Sequence, residues 1–239
     1  MIKKQPLKRS FIGFEVELFT INKNGYIVNG ADTILKRAKQ DKNLTIKKEC
    51  AGNMIEIASY PNEMVPHTME HLLDELEYLI SIAKKENILL CPLGTYPGKF
   101  NPFMRNDRPY KIKELIFGQN RWKTAGRCIG FHCHYTLPKG IFDTQLRVLK
   151  MLIRSKIKDS LVNSYNLMVA ADAALTTLMQ SSPFYQGKYI GKDSRVIMYR
   201  GGEHLNNKTG LYANLEEFGG LPPYKLTALD IMDIITTTI

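Results

Sequence analysis

Cysteine is scarce in this chain and unpatterned. Cys50, Cys91, Cys128 and Cys133 are the four among 239 residues, and no two are spaced C-x-x-C. A chain of this length can bury a core without a disulfide framework, so reduced thiols in a cytoplasm are the expectation. Long apolar runs are missing too. No stretch is long and apolar enough to span a membrane, and no membrane partner is expected. The segment Met1 to Arg9 has the charge of a signal peptide, but Glu15 and Glu17 break the apolar run that should follow, so no secretion signal is read. Acidic residues are outnumbered, 23 against 33 Lys and Arg, for a net charge of +10. That balance suits anionic ligands. The basic residues are spread along the chain without a long Lys/Arg block, which favours a nucleotide over nucleic acid. No internal repeat and no low-complexity tract is present. What remains, 44% hydrophobic and 23% charged, is an ordinary globular composition for one domain, with or without a small appendage.

The stretch from Phe11 to Phe19 reads as a strand, ended by a turn at Asn22-Lys23-Asn24-Gly25. Alternation puts Phe14, Val16 and Leu18 on one face and Gly13, Glu15 and Glu17 on the other. Two neighbouring carboxylates on one face repel unless something positive lies between them. Either the face is solvated or it builds a divalent-cation site. Tyr26-Ile27-Val28 is expected to return as a hairpin partner, and Asp32 to cap a short helix through Ala38. Asn53 to Ser59 reads as a second strand, with Met54, Glu56 and Ala58 on one face. Ala51-Gly52 permits a turn or bulge that could bring Glu49 to Glu56 although their parity differs.

From Pro66 a long helix is expected, with an apolar stripe of Met69, Leu72, Leu73, Leu76, Leu79, Ile80 and Ala83 and with Glu70, Asp74, Glu75 and Glu77 facing away. His67 and His71 are one turn apart, but no carboxylate third ligand is fixed nearby, and the solvated reading is preferred. Ile88 to Gly94 is a short apolar strand. The loop from Thr95 to Tyr110 offers Arg105 and Arg108, and Lys111 follows it; these could meet a phosphate or carboxylate. In the strand from Cys128 to Leu137, His132 and His134 share a face with Gly130 and Thr136, while Cys133 points away; paired histidines of this kind occur at metal and phosphate sites. Leu146, Leu149, Ile153, Ile157 and Leu161 mark one further helix. Leu167, Ala170, Ala171, Ala174, Leu175 and Leu178 mark a second, more buried one. The rest is loop-rich until an amphipathic segment from Ala228 to Ile235.

Taken in order, Gly13-Phe14-Glu15-Val16-Glu17, Glu49 with Ile55-Glu56-Ile57, Gly130-Phe131-His132-Cys133-His134, and Ser181-Ser182-Pro183-Phe184 with Gly187, Gly191, Ser194 and Arg195 resemble the carboxylate–amine ligases of the glutamate–cysteine ligase type. The resemblance runs from about Phe11 to about Pro223. It implies an α+β, glutamine-synthetase-like catalytic fold: an antiparallel sheet with helices packed on one face and Mg²⁺ and ATP on the other. It implies ATP and Mg²⁺ as cofactors, and glutamate and an amine such as cysteine as substrates joined through an acyl phosphate. By the same resemblance Glu15, Glu17, Glu49 and Glu56 hold the metal, with His132 or His134 joining them. The assignment it suggests puts His132 with the metal, His134, Arg127 and Arg105 around the nucleotide, and Arg195 and Arg105 on the transferring phosphoryl group. Hard Mg²⁺ takes carboxylate and phosphate oxygens together, which fits these residue types.

Two departures stand out. Asn101 precedes Pro102-Phe103 where family members carry His, and nothing after Pro223 reads as the family's late acidic-and-basic strand. The expectation is therefore that residues 1–239 form a single, incomplete domain that self-associates or works with a complementing chain. The alternative is a truncated, inactive homologue that binds Mg²⁺–nucleotide or a partner.

Overall fold

The computed structural model describes residues 10–38, 45–136, 142–143, 145, 148–149 and 156–231. The aromatic and β-branched run near the start forms the long strand β1 (Ile12–Ile21), around which the other main strands assemble. Then come α1 (Ala31–Ala38), β2 (Ile46–Lys48), β3 (Met54–Ala58), α2 (Val65–Lys85) and β4 (Leu89–Cys91). Two short helices, α3 (Arg108–Phe117) and α4 (Gln119–Ala125), lead into β5 (Phe131–Tyr135). The remainder holds β6 (Phe142–Asp143), β7 (Val148–Leu149), α5 (Lys156–Leu178), β8 (Phe184–Tyr185), β9 (Lys188–Tyr189), α6 (Ser194–Arg200) and α7 (Glu216–Gly219).

Every pairing in the main sheet is antiparallel. The order is β2-β3-β1, and the far side of β1 takes β5 along its first half and β4 along its second. The register decides the chemistry. Glu17 sits opposite Glu56, Glu56 opposite Lys47, Glu15 opposite His132 and Gly13 opposite His134. Cross-strand partners share a face, so all these side chains project to one side. Phe14, Leu18, Ile55 and Ile57 project to the other, where Ala31, Ile34 and Ala38 of α1 and Leu72, Leu79, Ile82 and Ala83 of α2 cover them. Burying each large aliphatic side chain there contributes roughly 1.5–3 kcal/mol. The expected α+β architecture, an antiparallel sheet with helices on one face, is what the chain builds. A second core, Phe19, Cys50, Ala51, Met54, Trp122, Ala125, Ile129 and Leu211, fills one end of the carboxylate side beneath α4.

Several local expectations are corrected. The return of 26–28 on β1 is realised through the antiparallel Ile21–Ile27 bridge and backbone hydrogen bonds from Asn22 to Tyr26 and from Val28 to Thr20, too short a pairing to extend β1's sheet. Asp32 lies inside the first turn of α1 and pairs with Arg105 at 2.8 Å instead of capping. On α2, Leu73 and Ile80 are exposed, and Glu75 is buried rather than facing out. Thr45 explains the last point: its backbone N–H and its hydroxyl both donate to the Glu75 carboxylate, and His71 lies 3.5 Å from it. A buried carboxylate so satisfied is tolerated. His71 is thus committed to Glu75, and His67 is exposed.

Of the helix expected through Leu146, Leu149, Ile153, Ile157 and Leu161, the last two lie in the first turns of α5, whereas Leu149 lies in β7 opposite Phe142; Leu146 and Ile153 lie outside the described residues. Ser181 to Gly187, expected as a sharp loop, carries the β8–β9 hairpin. Its turn residues Gln186 and Gly187 both have positive φ, the twist that suits a two-residue hairpin. The alanine-rich half of α5 is not the buried helix its composition suggests. Leu167, Met168 and Leu178 are exposed, and polar ties hold the helix: Asp172 accepts twice from Arg200, and Asn166 exchanges hydrogen bonds with the Lys225 backbone. Of the expected C-terminal amphipathic segment, Ala228–Ile231 are helical and the rest lies outside the described residues.

Candidate functional site

Two groups of side chains gather on the carboxylate face of the sheet. Glu17, Glu49 and Glu56 bring one oxygen each within 4.8 Å of one another, and Glu15, His132 and His134 do the same with their own ligand atoms. Glu49 joins although it precedes β3. The turn at Ala51-Gly52-Asn53 folds the chain back, with Ala51 bridged to Met104, so the convergence anticipated from Gly52 is realised. On β5, His134 Nε2 lies 2.8 Å from Glu15, and His132 lies 3.6 Å from Glu15 and 3.9 Å from Glu17. Cys133 stands on the opposite face, beside Phe14 in register.

Electrostatics differ sharply among Glu15, Glu17 and Glu49. Burial, followed by the charges of Glu17 and Glu56 and a hydrogen bond with Glu56, pushes Glu49 up to about 8. Burial also raises Glu17, against the pull of His132, the Gly130 N–H and Arg195. Glu15 is disfavoured by partial burial, but hydrogen bonds to His134 and Lys47 outweigh that and hold it below the ordinary carboxylate value. Lys47 is raised, first by its hydrogen bond to Glu56. Burial and mutual repulsion thus favour the protonated forms of Glu49 and Glu17. A cluster of close carboxylates whose ionisation is disfavoured is a good host for a hard divalent cation. The donor chemistry fits Mg²⁺: three converging carboxylates, with Glu15 and two imidazoles alongside.

Gly130 fixes the edge of this site. Its N–H donates to Glu17 Oε2 at 2.8 Å, and its carbonyl accepts from the Glu17 N–H at 3.0 Å. A Cβ here would fall 2.8 Å from both Arg195 Nη2 and His132 Nε2, so only glycine allows that approach. Arg195 comes from α6, whose first turn is capped by Asp193 accepting from the Val196 N–H. Its guanidinium lies over the Tyr199 ring at 4.9 Å, and its Nε is buried without a protein partner. A cavity of about 720 Å³ opens beside it, lined among others by Glu17, Gly94, Gly130, Ser181, Arg195 and Arg200. That volume is in the range of small-molecule sites.

The other arginines singled out from the sequence lie differently. Arg105 donates from Nε to the Glu49 carbonyl and from Nη1 to Asp32, and its backbone N–H donates to Cys50. It braces the segment that carries Glu49, and its Nη2 is buried without a protein partner. Arg127 reaches the Phe100 carbonyl at 3.4 Å. Sequence reasoning missed Lys47, whose Nζ lies 3.2 Å from Glu15 and 3.0 Å from Glu56. The only local signal was the alternation Ile46-Lys47-Lys48, which puts Lys47 on the face opposite Ile46.

A search of curated proteins returns no match. Among solved structures, the chain is similar to a bifunctional glutathione synthetase from Pasteurella multocida, with 16% identity, 74% of this chain, 24% of that one and a TM-score of 0.49. It is similar as well to a glutamate–cysteine ligase from Francisella tularensis in complex with AMP, with 13% identity, 74% of this chain, 36% of that one and a TM-score of 0.49. The chain thus spans about a quarter to a third of the length of these structures. The family model for glutamate–cysteine ligase family 2 (GCS2) matches residues 11–218. That is well over half of the 239 residues, and the chain belongs to glutamate–cysteine ligase family 2.

Proposed function

We propose that this chain carries the acidic face of an ATP-dependent carboxylate–amine ligase acting on glutamate and an amine such as cysteine. The observation that supports this most is the convergence of Glu15, Glu17, Glu49, Glu56, His132 and His134 on one sheet face beside the Arg195 cavity. On this reading Glu17, Glu49 and Glu56 would hold one Mg²⁺, and Glu15 with His132 or His134 would hold another. The cations would neutralise phosphate charge and orient the nucleotide. Arg195, whose guanidinium Nε is buried and unsatisfied, would steady the phosphoryl group in flight. Arg105 acts indirectly, by positioning Glu49; Arg127 and His134 would contact the nucleotide. An oxygen of the substrate carboxylate attacks the γ-phosphorus of ATP, and the bond to ADP breaks. The amine nitrogen then attacks the acyl carbon, phosphate leaves, and the nitrogen loses a proton.

The test is ADP release and peptide product with ATP, Mg²⁺, glutamate and cysteine, each omitted in turn. Product that requires all four supports the ligase. ADP release indifferent to both amino acids would overturn it. A second reading rests on a specific observation: β5 has no strand on its outer edge among the described residues, and apolar side chains of α5 lie exposed. In that reading residues 1–239 form one domain that binds Mg²⁺–nucleotide and needs a complementing chain, or a second copy, for turnover. Binding without product would favour it.

A further inference from the structure

The two groups on the carboxylate face are linked by one residue. Lys47 stands opposite Glu56 in the β2–β3 register. Its Nζ contacts Glu56 of the three-carboxylate group at 3.0 Å and Glu15 of the histidine group at 3.2 Å. A single ammonium therefore spans both. Its stem is mostly in solvent, with 58% of the side chain exposed. A flexible four-carbon stem so exposed can swing its charge into water without disturbing the sheet. Arg195, by contrast, is held over Tyr199 and against Gly130.

We propose that Lys47 is a resident counter-ion that stands in for divalent cations and is displaced when they load, so that loading is an exchange rather than a simple addition. This rests on the reading of the face as a Mg²⁺ site. The physical reasoning is short. Carboxylates this close need compensating positive charge to remain together in a folded sheet. A divalent ion drawn to the same oxygens brings twice the charge and repels an ammonium a few ångströms away. Glu15 and Glu56 cannot serve both fully. Lys47 therefore protects the metal-free fold and weakens cation affinity at once, which lets the site release its cations rather than trap them.

The experiment titrates MgCl₂ into the metal-free protein by calorimetry at fixed ionic strength, for wild type, Lys47→Met and Lys47→Arg, and follows thermal midpoints with and without Mg²⁺. Lys47→Met keeps most of the stem and removes the charge. It is expected to bind Mg²⁺ about tenfold more tightly than wild type. Metal-free, it should melt below wild type, with the gap closing at saturating Mg²⁺. Lys47→Arg retains the charge and should stay near wild type. Should Lys47→Met not fold without metal, Lys47→Gln, purified with Mg²⁺ and then stripped, provides the same comparison. Equal or weaker Mg²⁺ binding by the neutral variants, with wild type binding normally, would overturn the exchange and leave the metal site standing. Absence of Mg²⁺ binding to wild type and variants alike would overturn both.

Discussion

Replacing Glu49 by Gln should stabilise the metal-free protein at alkaline pH, although Glu49 lies at the centre of the site. Its carboxyl is raised from an ordinary 4.5 to about 8 by burial and by the charges of Glu17 and Glu56. The folded state thus keeps a proton that the unfolded chain gives up. Stability falls as pH rises from about 4.5 to about 8 and levels off above. At about 1.4 kcal/mol per pKa unit the shift sets an upper bound of about 5 kcal/mol, and the partial solvent contact of Glu49 brings the expectation to about 2–3 kcal/mol. Glutamine mimics the protonated acid: it can still donate to Glu56 and cannot ionise. At pH 8.5 without divalent cations, Glu49→Gln should therefore exceed wild type by about 2 kcal/mol, or roughly 4–8 °C in midpoint for a chain of this size. Below about pH 4, where folded and unfolded states both hold the proton, the two should coincide. Saturating Mg²⁺ at pH 8.5 should raise wild type and leave the variant little changed. The assay is thermal and urea unfolding across that pH range. Parallel pH profiles for wild type and Glu49→Gln would refute the reasoning, because they would mean that no proton is held at Glu49.

Further outcomes follow from other parts of the molecule. Gly130→Ala puts a Cβ within 2.8 Å of Arg195 Nη2 and His132 Nε2; Mg²⁺–nucleotide affinity should fall about tenfold or more through their displacement, and unchanged affinity in calorimetry would show that their placement is immaterial. Leu79 is fully buried under the sheet, so Leu79→Ala should destabilise by about 2–5 kcal/mol in urea unfolding; a loss below about 1 kcal/mol would mean that α2 is not a load on the core. β5 carries no strand on its outer edge among the described residues, and that edge should make the chain self-associate as concentration rises. Tyr135→Lys, at a position 61% exposed, should reduce that association in light scattering, whereas a wild-type monomer at every concentration would contradict it.

The face was legible because it depends on parity. Glu15 and Glu17, and separately His132 and His134, are two residues apart on strands whose alternation is written in their own segments. Gly52 flagged the reversal that brings Glu49 back. The α2 helix was legible as a helix, but its inward side was not. Glu75 turns in because Thr45, 30 residues away, supplies hydrogen bonds that no periodicity reports. Lys47 escaped notice for a similar reason. Its partners are set by the register between β2, β3 and β1, which segments taken singly do not carry. The alanine-rich part of α5 misled in the opposite direction. Composition predicts what a helix would bury if something covered it, and there a bidentate Arg200–Asp172 pair, not an apolar layer, fixes the helix. Arg105 was marked for its charge, and the structure spends that charge on Asp32 and the Glu49 carbonyl.

The central claim is that the carboxylate face binds nucleotide through divalent cations. Calorimetric titration of a non-hydrolysable ATP analogue, with and without Mg²⁺, into wild type, Glu17→Ala and Glu56→Ala tests it most directly. Wild type should bind only with Mg²⁺, and each variant should lose about tenfold or more in affinity, since removing one carboxylate leaves the cation short of a ligand. Mg²⁺-independent binding, or equal affinity in all three proteins, would contradict the account.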